Sequence, residues 1–479
     1  MKKIRIIPKL DVKGPNVVKG IQLEGLRVIG KPEELAKKYY EQGADEIIYI
    51  DIVASLYERN NLKDVVEKTA SVGVFIPITV GGGIRQLEDI KIILRAGADK
   101  VAINTAAVRN PDFITQASKI FGSQCIIGAI EAKDQGNGKW EAYIDNGRER
   151  TGLDAIEWAK KLVELGVGEI LITSVDRDGT KKGYDVDLIK RIVAAVSVPV
   201  VACGGASNEE NIHNCLENTC CDGIAFGSIL HYNKTTIGVV KDYLSKKNVS
   251  IRKIKKACFE KVTNSHKKAV SIIDFNAGNI KSVISAFKNM GNPVKLINSI
   301  EEINNAELLV LPGDGAFGHA IKVLNKNKLI EPIKKFAKSG KPLLGICLGM
   351  QLLMSKSEEF GVHKGLNIIP GKVVPFKSDN NINDIRYTIP HMGWNNLIKA
   401  KNAGWKETIL STIPENTEVY FVHSYYVLPD NQEHVLASTK YGNQNFCSVI
   451  KKDNVYGTQF HPEKSSNAGI AIIQYFSSL

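Results

Sequence analysis

The sequence predicts an α/β protein: a (β/α)8 barrel followed by a second α/β domain. Three observations carry this. Eight short β-branched runs alternate with amphipathic helical stretches over residues 1–245, the size of one eight-unit barrel. The runs are almost continuously apolar, as parallel strands covered on both faces require. After a basic, polar break the alternation restarts at Ala269.

In order, the expected barrel strands are IRIIPKLD, EIIYIDI, PITVGGG, KVAINT, CIIGAIEA, EILITSVD, VPVVACGG and GIAFGSI. Stretches such as PEELAKKYYEQG and LEDIKIILRAG supply the intervening helices. The barrel occupies residues 1–250 and a linker residues 251–268, where alternation gives way to a Lys-rich segment. The second domain spans 269–479. It opens with AVSIIDFNAG, ELLVLPGDG and KPLLGICLG separated by helical stretches, and turns β-rich after residue 370.

A 479-residue chain is too long for one ordinary domain. Lys and Arg exceed Asp and Glu by 63 − 51 = 12. The excess is spread along the chain without interleaved aromatics, so it points to anionic substrates rather than nucleic acid. The eight cysteines form no C-x-x-C pair and no zinc spacing, so neither metal nor disulfide framework is expected. Asp11 and Lys13 interrupt the first apolar run too early for a signal peptide, and no run reaches membrane-spanning length. A cytoplasmic enzyme with no cofactor and no membrane partner is the expectation.

The barrel repeats internally at about 120 residues. Asp11 aligns with Glu131, Asp51 with Asp176, Gly82-Gly83 with Gly204-Gly205, and Asn104-Thr105 with Gly227-Ser228. Barrel active sites form where strands end. Asp11, Asp51, Glu131, Asp176 and Asp178 all fall at or just past such ends. A single Asp there can simply fix a loop, but carboxyls opposed from two half-barrels can divide acid and base roles. A glycine turn after an apolar strand brings backbone N–H groups close to an anion. Two such turns, each partnered about 22 residues later by a small polar pair, imply a substrate with a phosphate at each end.

In the second domain, Cys347 stands between a short apolar strand and the helix GMQLLM, flanked by Gly345 and Gly349. A helix start favours the thiolate, although a free Cys also serves as a small buried hydrophobe. His461 could take its proton and Glu463 could orient that imidazole.

The motifs KLDVKG, VVKG, TVGGGIR, KVAINTAA, FGSQ and TSVDRDGTKKGYD resemble the cyclase subunit of imidazole glycerol phosphate synthases over essentially all of residues 1–245. GICLGMQ, GTQFHPE, LPGDG, HMGWN and FVHSYY resemble the class I glutamine amidotransferase subunit that partners it. The resemblance implies a TIM barrel followed by a class I glutamine amidotransferase-like α/β domain. It further implies L-glutamine and a bis-phosphorylated ribulosyl compound as substrates, with the glutaminase docking on the barrel of the same chain. By resemblance Asp11 is one general acid/base, and Asp178 and Lys19 assist binding and turnover. Cys347, His461 and Glu463 form the glutaminase triad, Gln351 contacts glutamine, and the turn at Gly313 helps form the oxyanion hole. Arg5, Glu46, Lys100 and Glu169 match a salt-bridged ring around an ammonia passage.

Three departures stand out. The family's second catalytic Asp is Glu131 here, one methylene longer. Asp314 occupies a usually hydrophobic place beside Gly313. The barrel precedes the glutaminase, the reverse of the familiar eukaryotic fusion. The sequence therefore leaves open imidazole glycerol phosphate synthesis and a paralogous ammonia supply for sugar amidination. A non-catalytic, RNA-associated assembly protein is a third reading, resting on net charge alone.

Overall fold

Parallel strands joined by helices need both faces covered, and a right-handed succession of such units closes on itself when eight are present. That closure is what the computed structural model contains, described for residues 2–54, 62–253, 267–275, 278–313, 315–377, 386–401 and 403–479. Two compact units divide the chain: Met1–Ile254 with Asp384–Gly393, and Lys255–Asn383 with Trp394–Leu479.

In the first unit the barrel strands are β1 (Arg5–Lys13), β2 (Ile47–Asp51), β3 (Ile78–Gly81), β4 (Lys100–Ile103), β5 (Ile126–Asp134), β6 (Glu169–Ser174), β7 (Val200–Cys203) and β8 (Gly223–Phe226). Each pairs in parallel with its neighbours, and the β5–β6 and β8–β1 ladders complete the circle. All eight coincide with the runs expected from sequence. The interior is filled by alternate side chains, among them Ile7, Ile48, Ala102, Ile127, Leu171, Val201 and Ala225.

Register sets out the half-barrel repeat. Asp11 lies opposite Ile50, as Glu131 lies opposite Thr173. Ile50 in turn faces Gly81, as Thr173 faces Cys203. Asp11 and Glu131 are therefore equivalent, as are Gly82 and Gly204. The residue equivalent to Asp51 is Ser174, two positions before Asp176, which corrects the alignment of Asp51 with Asp176. The offset between halves is not constant, so a two-residue slip passes unseen in the sequence. The repeat also extends to hairpins: Asn16–Ile21 folds back antiparallel on β1, and Trp140–Ile144 does the same on β5.

The N-terminal side of the barrel is closed by polar anchors. Buried Asp45 accepts from Ile6 N at 2.9 Å, from Lys241 Nζ at 2.6 Å and from Arg252 Nε at 2.6 Å. Asp222 likewise accepts from Val200 N at 2.9 Å. Within the same unit, Thr388 Oγ1 donates to Asp222 Oδ1 at 3.1 Å.

The second unit is built on an eight-stranded sheet. Val294–Ile297, Val270–Ile273, Leu308–Leu311, Leu343–Ile346 and Val455–Thr458 run parallel. Gln444–Lys452, Val435–Tyr441 and Ile398–Lys399 extend it antiparallel. Leu309, Phe317, Leu324, Ile333, Leu343 and Leu352 are among the buried side chains joining helices to sheet. Residues 254–266 of the expected linker, and Asp314, lie outside the described residues. Among the described residues, no helix is long and apolar enough to cross a membrane.

Candidate functional site

Alternation along β1 puts Lys9 and Asp11 on the same face. Lys9 Nζ reaches Asp11 Oδ1 at 2.7 Å, and Lys19 Nζ, from the first hairpin, reaches Asp11 Oδ2 at 2.7 Å and Asp178 Oδ2 at 2.8 Å. All four side chains are buried. Burial alone would raise the Asp11 pKa, but the ammonium groups of Lys19 and Lys9 outweigh it and hold the carboxyl well below its ordinary range. The hairpin is tied down by Gln22 N, which donates to Asp178 O at 2.8 Å.

Glu131 has the opposite surroundings. Its Oε2 accepts from Asn104 Nδ2 at 3.1 Å and Gly147 N at 2.8 Å, both neutral donors. Burial pushes its pKa up to about 7. Two equivalent strand ends thus hold one carboxyl clamped in its ionised form and one poised near neutrality. Such a split is how one site runs acid and base chemistry together.

Two hollows flank this cluster. One, of about 290 Å³, is lined by Glu131, Asp51, Gly82, Gly83, Asn104 and Thr105 among others. The second is a narrow cleft lined by Lys19, Asp178, Gly204, Gly205, Gly227 and Ser228 among others. Lys9 lines both. Gly82 and Gly204 adopt φ of 97° and 95°. A Cβ at Gly82 would lie 2.2 Å from Asp51 O, and one at Gly204 2.7 Å from Ser174 O, so only glycine fits either turn. Both glycine turns come with their small polar partners, as the repeat implies.

At the other end of the strands Arg5, Glu46, Lys100 and Glu169 close a ring. Arg5 pairs with Glu46 at 3.1 Å and Glu169 at 2.5 Å, and Lys100 pairs with the same two carboxylates at 2.9 and 2.8 Å. Each side chain is about 1% exposed. Isolated charges there would be costly, and alternation of sign satisfies all four. Lys100 Nζ also lies 3.5 Å from Met392 Sδ, within the same unit.

In the second unit Cys347 sits at a strained strand-to-helix bend, with φ 47° and ψ −103°. Glycines make the bend possible: a Cβ at Gly349 would lie 2.1 Å from Leu311 O, and one at Gly313 2.3 Å from Ile346 O. Cys347 N donates to Thr458 O at 2.7 Å, tying the cysteine turn to the adjacent strand. His461 Nδ1 is 2.8 Å from Glu463 Oε1. Burial would lower the imidazole pKa, but Glu463 and the Cys347 sulfur raise it well above its ordinary value. The structure thus brings Cys347 to His461 and Glu463, which lie more than a hundred positions further along the sequence. Gln351 joins them through Gln459, whose Nε2 lies 3.5 Å from Cys347 Sγ.

Sequence reasoning missed three residues. Lys9 shares a strand face with Asp11, a signal that alternation could have supplied. Gln459 lies two residues before His461 inside a motif already singled out. Glu359 has no sequence signal: it is a buried carboxyl accepting from Phe317 N at 2.5 Å, raised by burial to about 7.

Comparison with known proteins matches residues 5–236 to the family described as histidine biosynthesis protein, and residues 271–476 to glutamine amidotransferase class-I. The chain is 55% identical over 213 residues to the imidazole glycerol phosphate synthase subunit HisF of Legionella pneumophila, covering 44% of this chain and 100% of that protein. It is 52% identical over 248 residues to the HisF subunit of Bacillus cereus (strain ATCC 10987 / NRS 248), covering 52% of this chain and 98% of the relative. Through its barrel the chain belongs to the HisF family of imidazole glycerol phosphate synthase subunits, and it carries a class I glutamine amidotransferase domain behind that barrel.

Proposed function

We propose that the chain is a bifunctional, glutamine-dependent imidazole glycerol phosphate synthase of histidine biosynthesis. The observation that carries this reading is the pairing, in one polypeptide, of a Cys–His–Glu relay with a HisF-type barrel mouth holding two carboxyls between two glycine turns.

In the second unit Cys347 attacks the side-chain amide of L-glutamine. His461, oriented by Glu463, protonates the departing ammonia and then activates water to release glutamate from the thioester. Gln351 and Glu359 hold the glutamine, and the turn at Gly313 receives the developing oxyanion. Ammonia passes the ring of Arg5, Glu46, Lys100 and Glu169 without reaching bulk water, where it would become unreactive ammonium. Fusion keeps the two centres at about mM effective concentration.

In the barrel the phosphates of the phosphoribulosyl aminoimidazole carboxamide substrate rest at Gly82, Gly83, Asn104 and Thr105 on one side. Gly204, Gly205, Gly227 and Ser228 hold the other. Lys19 and Asp178 close over the bound substrate. Asp11 and Glu131 share the proton transfers that yield imidazole glycerol phosphate and the aminoimidazole carboxamide ribotide. Glu131 retains a carboxyl in the register of Asp11, and the sugar-amidination reading has no separate support in the site. The enzyme works in the cytoplasm.

The deciding assay supplies glutamine and the bis-phosphorylated precursor and follows glutamate together with both cyclase products. Products in step with glutamate are expected. Glutamate alone, with no cyclase turnover even on added ammonia, would reassign the barrel to another ammonia acceptor.

A further inference from the structure

The glutaminase relay leaves one side chain at the sulfur without a role. Gln459 is fully buried, and its Nε2 lies 3.5 Å from Cys347 Sγ. We propose that Gln459 is a further catalytic residue of the glutaminase, its amide N–H donating to the Cys347 sulfur and stabilising the thiolate. The inference rests on Cys347 being the nucleophile.

Geometry fixes which end of the amide meets the sulfur. Gln459 Oε1 faces Gln351 Nε2 at 3.5 Å. Gln351 Nε2 also donates to Tyr425 O at 3.0 Å. That carbonyl is held in turn by His423 Nδ1 at 2.8 Å. Burial among Phe376, Phe421 and Phe446 keeps His423 neutral, with its pKa pushed down to about 3. A flipped Gln459 would set its NH₂ against that of Gln351 and its oxygen against the thiolate. Its backbone is equally constrained: Gln459 N donates to Ser448 O at 2.9 Å, and Thr458 O accepts from Cys347 N at 2.7 Å. Donor and sulfur therefore ride on hydrogen-bonded neighbours.

This contact differs in kind from that of His461. The imidazole alternates between forms, giving its proton to departing ammonia and taking one from water. When water attacks the thioester, the C–S bond breaks and its electron pair returns to sulfur. A neutral amide donor that carries no proton away serves the thiolate at both ends of that cycle.

The test is Gln459→Met, which keeps the shape and removes the donor, alongside Ser448→Ala as a neighbouring control. Carbamidomethylation of Cys347 by iodoacetamide is followed by peptide mass spectrometry at pH 7 and pH 10. One hydrogen bond to an ion corresponds to a rate about tenfold lower at pH 7, with the native rate recovered at pH 10. Glutaminase kcat should fall about tenfold or more with KM within about threefold, while Ser448→Ala behaves as native. Gln459→Leu supplies a second donor-less variant if near-ultraviolet circular dichroism finds the first misfolded. A folded variant alkylated at the native rate at pH 7 overturns the proposal, whatever its kcat. Glutaminase activity surviving Cys347→Ala would instead overturn the reading of the nucleophile.

Discussion

Lys9 Nζ stands 2.7 Å from Asp11 Oδ1, a buried ion pair between residues two apart on one face of the first barrel strand. With Lys19 on the other carboxylate oxygen, it holds Asp11 ionised, whereas burial raises the carboxyl of Glu131 to about 7.

That division predicts a pH profile. Glu131, raised to about 7 by burial, is protonated below that pH and, on the proposed assignment, serves as the acid partner of ionised Asp11. At fixed free ammonia, kcat/KM for the phosphoribulosyl substrate should fall as pH rises through about 7. Replacing Glu131 with Gln should cost at least about a hundredfold. A profile flat from pH 6 to 8 would argue against the assignment.

The same residue should oppose stability. A carboxyl whose folded pKa lies above its unfolded value is costless below the unfolded value, destabilises progressively as pH climbs from there to the folded value, and costs the full amount above it. Raising a carboxyl from 4.5 to about 7 corresponds to about 3 kcal/mol. Glu131→Gln should therefore unfold at higher denaturant than the parent at pH 8, with little difference at pH 4. Equal shifts at both pH values would point to packing.

Removing Lys19 should separate the two activities. In Lys19→Ala, Asp11 and Asp178 lose a shared ammonium, and ammonia-driven cyclase turnover should drop by about two orders of magnitude. Glutamate release measured without barrel substrate should stay within about twofold.

At the ring, Arg5→Ala removes the guanidinium that pairs with both Glu46 and Glu169. Breaking a buried network from one side costs about 3–5 kcal/mol, readable as a lower urea midpoint. Paired measurements with glutamine and with ammonium salts should then differ: a larger loss with glutamine is expected if the ring guides ammonia.

Glu359 offers a test in the second unit. If its carboxylate holds the glutamine ammonium, KM for glutamine should rise as pH falls through about 7, where the group gains its proton. Glu359→Gln should raise KM at least about tenfold at pH 8 with a smaller change in kcat. An unchanged KM would assign Glu359 only to holding Phe317 N.

Much of this molecule could be read along the chain. The eight barrel strands, the paired glycine turns at Gly82 and Gly204, and the bend carrying Cys347 follow from apolar alternation and turn chemistry. Both act over a few residues and leave their mark in local order. The equivalence of Asp11 and Glu131 was legible for the same reason. The pairing of Asp51 with Asp176 was not, because hydrogen-bond register, and not residue type, decides which positions correspond.

What the tertiary structure alone decided is the state of the charges. Arg5 meets Glu169 across 164 positions of sequence, and Lys19 meets Asp178 across 159. Whether a carboxyl is clamped like Asp11 or poised like Glu131 depends on which cations and amides arrive from distant strands and how much water they exclude. Desolvation and ion pairing are sums over neighbours in space, and no short-range pattern in a sequence encodes them.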